Sequence, residues 1–171
     1  MGSLFFSPSG RIGPQAYFKG MMIIAVISAV VSLLVLVSVA LGTIASILSI
    51  ALLIPVIFMS IKRAHDAGRS GWFCLVAIVI SIGVSIVLGL ILAPILGGLV
   101  GGGVDQAAID AAAESGDFGA VMDAAGDAAK ATAIPSAVAS LIGTALTAFI
   151  YNAINKQDPG DNQYGPVPPA M

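Results

Sequence analysis

Three long stretches of the chain carry no charge: Gly20 to Ile61, Ser70 to Val104, and Ala131 to Asn155. Within each, Ile, Leu, Val and Ala follow one another without the polar face of an amphipathic surface helix. A helix that is apolar all round belongs in a large core or in lipid. About 20 residues, at 1.5 Å each, cross the roughly 30 Å of hydrocarbon in a bilayer. The first stretch is long enough for two such helices. Gly42-Thr43 is the expected break, because Gly suits a helix C-terminus and Thr can cap the next N-terminus. The expected spans are then 21–41, 44–61 with a kink at Pro55, 72–96, and 133–151. Pro94 and the Gly-rich run after it are expected to end the third span, and Pro135 to occupy the first turn of the fourth.

The segment 97–132 is long for a connection between helices. Val104, Ala107, Ala108 and Ala111 recur at helical spacing. Ser115-Gly116-Asp117 interrupts that pattern and can cap a second short helix carrying Phe118, Val121, Met122 and Ala125. The segment therefore reads as a helical hairpin on the outer membrane surface, or as a solvated Ala-rich spacer. Its acids lack the dense spacing of a calcium loop.

Composition agrees with this pattern. Hydrophobic residues make up 58% of the 171 residues and charged residues 9%, against about 45–50% and about 25% in soluble domains. A soluble domain and a disordered chain are both excluded. With a net charge of -2, no basic field exists to hold nucleic acid. A single cysteine, Cys74, and a single histidine, His65, exclude an internal disulfide and a multi-histidine metal site. No cofactor and no metal are expected. The expected fold is all-α: an integral membrane four-helix bundle, with an additional external helical hairpin between helices 3 and 4.

Charge then orients it. With four spans, Arg11, Lys19, Lys62, Arg63, Arg69 and Lys156 fall on one side and Lys130 on the other. The positive-inside rule places both termini and the 62–71 loop in the cytoplasm. Ser38-Val39-Ala40 resembles a signal cleavage site, but the apolar stretch before it is too long for a signal peptide. Phe6 stands where myristoylation needs Ser or Thr.

The inner segments carry the unusual residues. They are Gly10-Arg11-Ile12-Gly13 with Tyr17-Phe18, then Arg63-Ala64-His65-Asp66-Ala67-Gly68-Arg69-Ser70-Gly71-Trp72, then Pro159-Gly160-Asp161-Asn162-Gln163-Tyr164-Gly165-Pro166. This combination resembles the domain of unknown function 805 family, small proteins of the bacterial inner membrane. The resemblance implies location and fold and supplies no activity. The chain departs from the family in two places. The 97–132 insertion replaces a short turn, and Pro14 replaces a charged or polar residue after the Gly-Arg element.

The candidate cluster is Arg11, Arg63, His65, Asp66, Arg69, Trp72, Asp158, Asn162 and Tyr164. His65 and Asp66 could shuttle a proton, since imidazole titrates near neutrality. The plainer reading is that Asp66 neutralises its basic neighbours and caps the turn. Arg63 and Arg69 could hold lipid phosphate or simply anchor the inner face. Arg11 is expected to reach Asp66, Asp158 or Asp161, because its fork suits carboxylates. In helix 4, Ser136, Ser140, Gly143, Thr144 and Thr147 form a small-residue face, for packing within the bundle or for a partner's helix. No charge lies inside the spans, which argues against proton-coupled transport. The expected function is interaction without catalysis, as an accessory or stabilising subunit that meets other membrane protein subunits in the lipid bilayer through its transmembrane faces and the 98–132 insertion. The alternative is a small carrier or channel with a hydroxyl-lined path. An enzyme ranks third, for want of a nucleophile–base pair.

Overall fold

The computed structural model describes residues 5–100 and 104–169. All of its regular elements are helical, and no strand occurs among the described residues beyond one bridge between Asn162 and Gly165. Helix α1 spans Pro14–Ser32 and tightens into a 3-10 turn, Leu33–Leu36; α2 spans Val39–Ala51, α3 Leu53–Asp66, α4 Cys74–Val100, α5 Gln106–Ser115 and α6 Phe118–Ile154. Four stretches are long and apolar enough to cross a membrane: Pro14–Leu36, Val39–Asp66, Gly71–Leu96 and Phe118–Ile154.

Several boundaries differ from the sequence reading. The first turn falls at Val37-Ser38 rather than Gly42-Thr43. Ser38 is extended, with φ -160° and ψ 151°, and its hydroxyl accepts the Leu41 amide at 3.1 Å. A serine cap therefore starts α2 at Val39, five residues earlier than expected. Gly42 has another task. A Cβ there would lie 2.7 Å from the Val35 Cβ, so its missing side chain lets the two arms of the turn close on each other. The Thr43 hydroxyl caps nothing and donates back to the Val39 carbonyl at 3.1 Å.

Pro55 breaks the second span one turn before itself. It has no N–H to offer the Ala51 carbonyl, and α2 gives way to α3 at Leu52. Pro94, expected to end the third span, sits inside α4. Pro135, expected in a first turn, sits inside α6. The second short helix is thus not separate from the fourth span. Asp117 caps one helix of 37 residues, about 56 Å long at 1.5 Å per residue, well beyond what the hydrocarbon needs. At its start Gly116 takes the left-handed conformation, φ 69°, that ends α5 and turns the chain into α6. The Gly-rich run of the third connection lies partly outside the described residues.

Helix α6 is the spine, packed along α1 on one side and α4 on the other. Tyr17, Met21 and Ile24 of α1, Met59 of α3, Ala77 of α4 and Ala148 and Tyr151 of α6 form the buried cluster. It lies toward one end of the helices. Elsewhere large apolar side chains point outward: Leu90 is 75% and Phe149 68% exposed. So much outward apolar surface would not persist in water; it fits a membrane protein.

Candidate functional site: a buried arginine–aspartate knot

At the end of α3 the chain builds a full C-terminal cap. Gly68, at φ 68°, supplies the left-handed residue, its amide donates to the His65 carbonyl at 3.0 Å, and the Arg69 amide donates to Ala64 at 2.9 Å. This cap keeps Lys62, Arg63, His65 and Asp66 in the last turns of a helix rather than in a loop. Residues expected at a solvated surface are buried: Lys62 is 5%, Arg63 1% and Asp66 0% exposed.

Asp66 lies between two guanidinium groups. Arg11 Nε donates to Oδ1 at 3.1 Å, and Arg63 Nη1 donates to Oδ2 at 2.6 Å. Arg11 then spends its remaining donors on backbone carbonyls. Nη1 donates to Gly160 at 2.7 Å and Gly165 at 3.2 Å; Nη2 donates to Asp158 at 2.9 Å and Asp66 at 3.4 Å. Five N–H groups thus meet five acceptors. Arg63 Nε donates to the Asn152 side-chain oxygen at 2.6 Å, and its Nη2 donates to the carbonyls of Asn152 and Asn155. Arg69 reaches the Ile154 carbonyl at 3.3 Å and lies over the Phe73 ring, 4.2 Å from its centre.

The acceptors explain why arginine is needed. Helices α3 and α6 both end here, and the last turn of a helix leaves carbonyls without intrahelical partners. Buried, each would cost free energy. The arginines supply donors to both ends, and their charge complements the partial negative charge of helix C-termini. Two buried cations around one carboxylate are therefore balanced partly by backbone dipoles.

The tail completes the knot. The Asp158 amide donates to the Asp66 carbonyl at 2.8 Å. Asn162 Nδ2 donates to the His65 carbonyl at 3.0 Å, while its Oδ1 accepts the Tyr164 amide at 2.9 Å. The Tyr164 ring stacks flat on His65, with centroids 3.8 Å apart and planes 4° apart. His65 Nδ1 faces the Gly10 carbonyl at 3.2 Å. A carbonyl can only accept, which assigns the proton to Nδ1.

Of the cluster expected from the sequence, Arg11, Arg63, His65, Asp66, Asp158, Asn162 and Tyr164 come together. Arg11 takes Asp66 by its carboxylate and Asp158 by its backbone; it does not take Asp161, whose Oδ1 accepts the Val167 amide. Arg69 sits at the edge. Trp72 stands apart, 79% exposed. His65 and Asp66 share no hydrogen bond: the ring faces Gly10 and Tyr164 while the carboxylate faces the arginines. Adjacent helical residues point about 100° apart, so a proton-shuttling pair does not form. Arg63 is enclosed by protein groups and does not face lipid phosphate.

Other members lay outside the expected cluster. Tyr17 is fully buried, its phenol 3.3 Å from the Ser60 hydroxyl, and the Tyr151 phenol donates to the Ser60 and Phe73 carbonyls. Asn152 bridges Arg63 and the Pro14 carbonyl, the latter at 3.0 Å. Asn155 is buried and its Oδ1 has no partner among the described residues. The available signal was a pair of asparagines three apart just where an apolar run ends. The helix 4 face lies elsewhere: Ser136, Ser140, Gly143, Thr144 and Thr147 line a cleft of about 390 Å³ against Ser85, Leu88 and Gly89 of α4. A Cβ on Gly143 would lie 3.3 Å from Leu88, so α4 and α6 approach closely at that position.

Among the described residues no group of three His, Cys, Asp or Glu side chains could hold a metal. No curated protein and no solved structure matches the chain. A family model matches residues 5–166, from the aromatic start to the Tyr-Gly-Pro tail, and so takes in all four segments of the knot. On that match the chain belongs to the DUF805 family of proteins of unknown function.

Proposed function

We propose that the chain is a non-enzymatic inner-membrane protein that acts by interaction, as an accessory or stabilising subunit of a larger membrane assembly. Both termini and the 62–71 loop lie in the cytoplasm, on the side where six of its seven Lys and Arg residues gather. The observation that carries this reading is the saturation of the knot. The donors of Arg11 are all spent on the chain's own carboxylate and carbonyls, which suits a structural tie better than catalysis.

A docking face is available at the other end of the helices. A cleft of about 390 Å³ between α1, α2 and α6 is walled by Ala45, Ser46 and Ser49 on one side and Ala125, Ala129 and Ala133 on the other. Its hydroxyls are turned inward: Ser46 donates to Gly42, Ser49 to Ala45 and Thr132 to Ala128. Small walls of this kind let a partner's helix approach closely. The start of α6, with Phe118 77% exposed, extends that face beyond the hydrocarbon. The same hydroxyl oxygens are what a carrier would line its path with, and this keeps transport as the second reading.

Extraction of intact membranes in a gentle detergent tests the proposal. The expected result is one stoichiometric large assembly, lost on Ala129→Phe, a variant that fills the cleft at an exposed position. Migration of the chain alone or as a homo-oligomer would contradict it. Solute flux in vesicles holding only this protein would favour the carrier.

A further inference from the structure

At the rim of the knot three polar side-chain atoms are unused and share one groove. With Nδ1 of His65 committed to Gly10, Nε2 of the neutral ring is left as an acceptor. The Ser70 hydroxyl and the Tyr164 phenol make no hydrogen bond among the described residues. All three residues line a groove of about 580 Å³ between α3 and the start of α4, a size within the usual range of about 300–1,000 Å³ for ligand sites. Below this polar rim the walls are apolar: Ile57 and Ile61, one turn apart on α3, face Leu75 and Ile78 on α4. Gly71 makes the rim possible, since a Cβ there would sit 3.2 Å from Ile61 and 3.3 Å from His65 Nε2.

The groove continues in two directions. Outward it merges with the apolar wall of α4, where Leu75 is 50% and Ile78 40% exposed, beside the exposed indole of Trp72. Inward, Ile57, Cys74 and Ile78 also line a narrower cavity of about 210 Å³ that reaches Met21 of α1 and Thr147 of α6. Helices α3 and α4 pack together sparsely compared with either helix pair at α6, and this gap is the result.

We infer that the groove is a binding site for one bilayer phospholipid whose head group carries a hydrogen-bond donor, an ammonium or a hydroxyl. One acyl chain lies along Ile57, Ile61, Leu75 and Ile78. The head group's donor meets His65 Nε2, and Ser70 and Tyr164 donate to its phosphate or ester oxygens. Trp72, with an apolar body and a polar N–H, marks the interfacial level where those ester groups lie. A partner's helix fits less well. The run from Ile57 to His65 covers about 12 Å and is closed at its polar end by the 70–72 turn and Tyr164. The site is distinct from the docking cleft, and it does not use the knot's arginines.

The purified full-length chain in phosphatidylcholine vesicles, with traces of phospholipid bearing a diazirine in the acyl chain, tests this. A phosphatidylethanolamine probe is expected to label the Ile57–Ile61 and Leu75–Ile78 peptides several-fold more than a phosphatidylcholine probe, which has no donor. Ser70→Ala with Tyr164→Phe should lower groove labelling by both probes several-fold, since both lipids carry the phosphate and esters, and His65→Phe, which keeps a ring on Tyr164 but removes Nε2, should shrink the preference toward one-fold. Ile61→Trp should abolish labelling in the groove while leaving the outer wall of α1 labelled. Ala129→Phe should change none of this, which separates the lipid site from the proposed docking cleft. Even labelling of all four apolar helices by both probes would overturn the inference. So would groove labelling that ignores both Ile61→Trp and the Ser70/Tyr164 pair.

Discussion

Asp66 is the residue on which the others depend. Its carboxylate is fully buried between Arg11 and Arg63, whose side chains are 1% exposed. Removing one partner of a buried pair leaves an uncompensated charge, at a cost of about 3–5 kcal/mol. Asp66→Ala is therefore expected to lower resistance to thermal unfolding in detergent by that order, and Arg11→Ala by a similar amount. Arg11→Lys should rescue little, because an ammonium offers three donors where the site holds acceptors for five. His65→Ala should cost far less, since it removes one hydrogen bond and one ring stack at the rim. At the next layer, Tyr17→Phe removes the contact with Ser60 and should cost about 1 kcal/mol. The exposed pair of Lys130 with Asp127, 3.1 Å apart, is expected to contribute nothing measurable.

At the scale of elements, the turn between α1 and α2 shows what pattern reading can and cannot do. The charge-free run announced two helices, but several positions could end the first. Thr43 and Ser38 are both cap residues, and only the packing of Gly42 on Val35 decides between them. Ser38→Ala should cost about 0.5–2 kcal/mol as a lost cap. Gly42→Val should cost about 1–3 kcal/mol or more, because Val35 must move. Thr43→Val should change stability by no more than about 0.5 kcal/mol; equal effects of the Ser38 and Thr43 variants would move the turn back. The three internal prolines carry the same lesson. Pro55 breaks its helix while Pro94 and Pro135 do not, and a bilayer tolerates proline inside a helix in a way that local sequence rules for soluble helices do not anticipate. Tyr151, Asn152 and Asn155 escaped notice for a related reason. They face the knot only because α6 brings its end against α3, a contact between residues some ninety positions apart.

At the scale of the whole molecule, the polar motifs were legible and their joint purpose was not. Arg11, the 63–72 run and the 158–166 tail stood out as residues that do more than solubilise. Their spacing along the chain said nothing about which would meet, since that follows from bringing the ends of α3 and α6 together. Once together, those ends present unpaired carbonyls, and Arg11 ties the N-terminal segment, the end of α3 and the tail in one set of hydrogen bonds. Such a tie can exist only if all three segments lie on one side of the membrane. Single cysteines placed at Ser9, Ser70 and Gln157 in a Cys74→Ala background, and labelled with a membrane-impermeant maleimide in vesicles of known orientation, test this directly. The account predicts that all three react from the same flank, and that a cysteine at Ala111 reacts from the other. Labelling of any one of the three from the flank of Ala111 would contradict it, because Arg11 cannot hydrogen-bond across a bilayer.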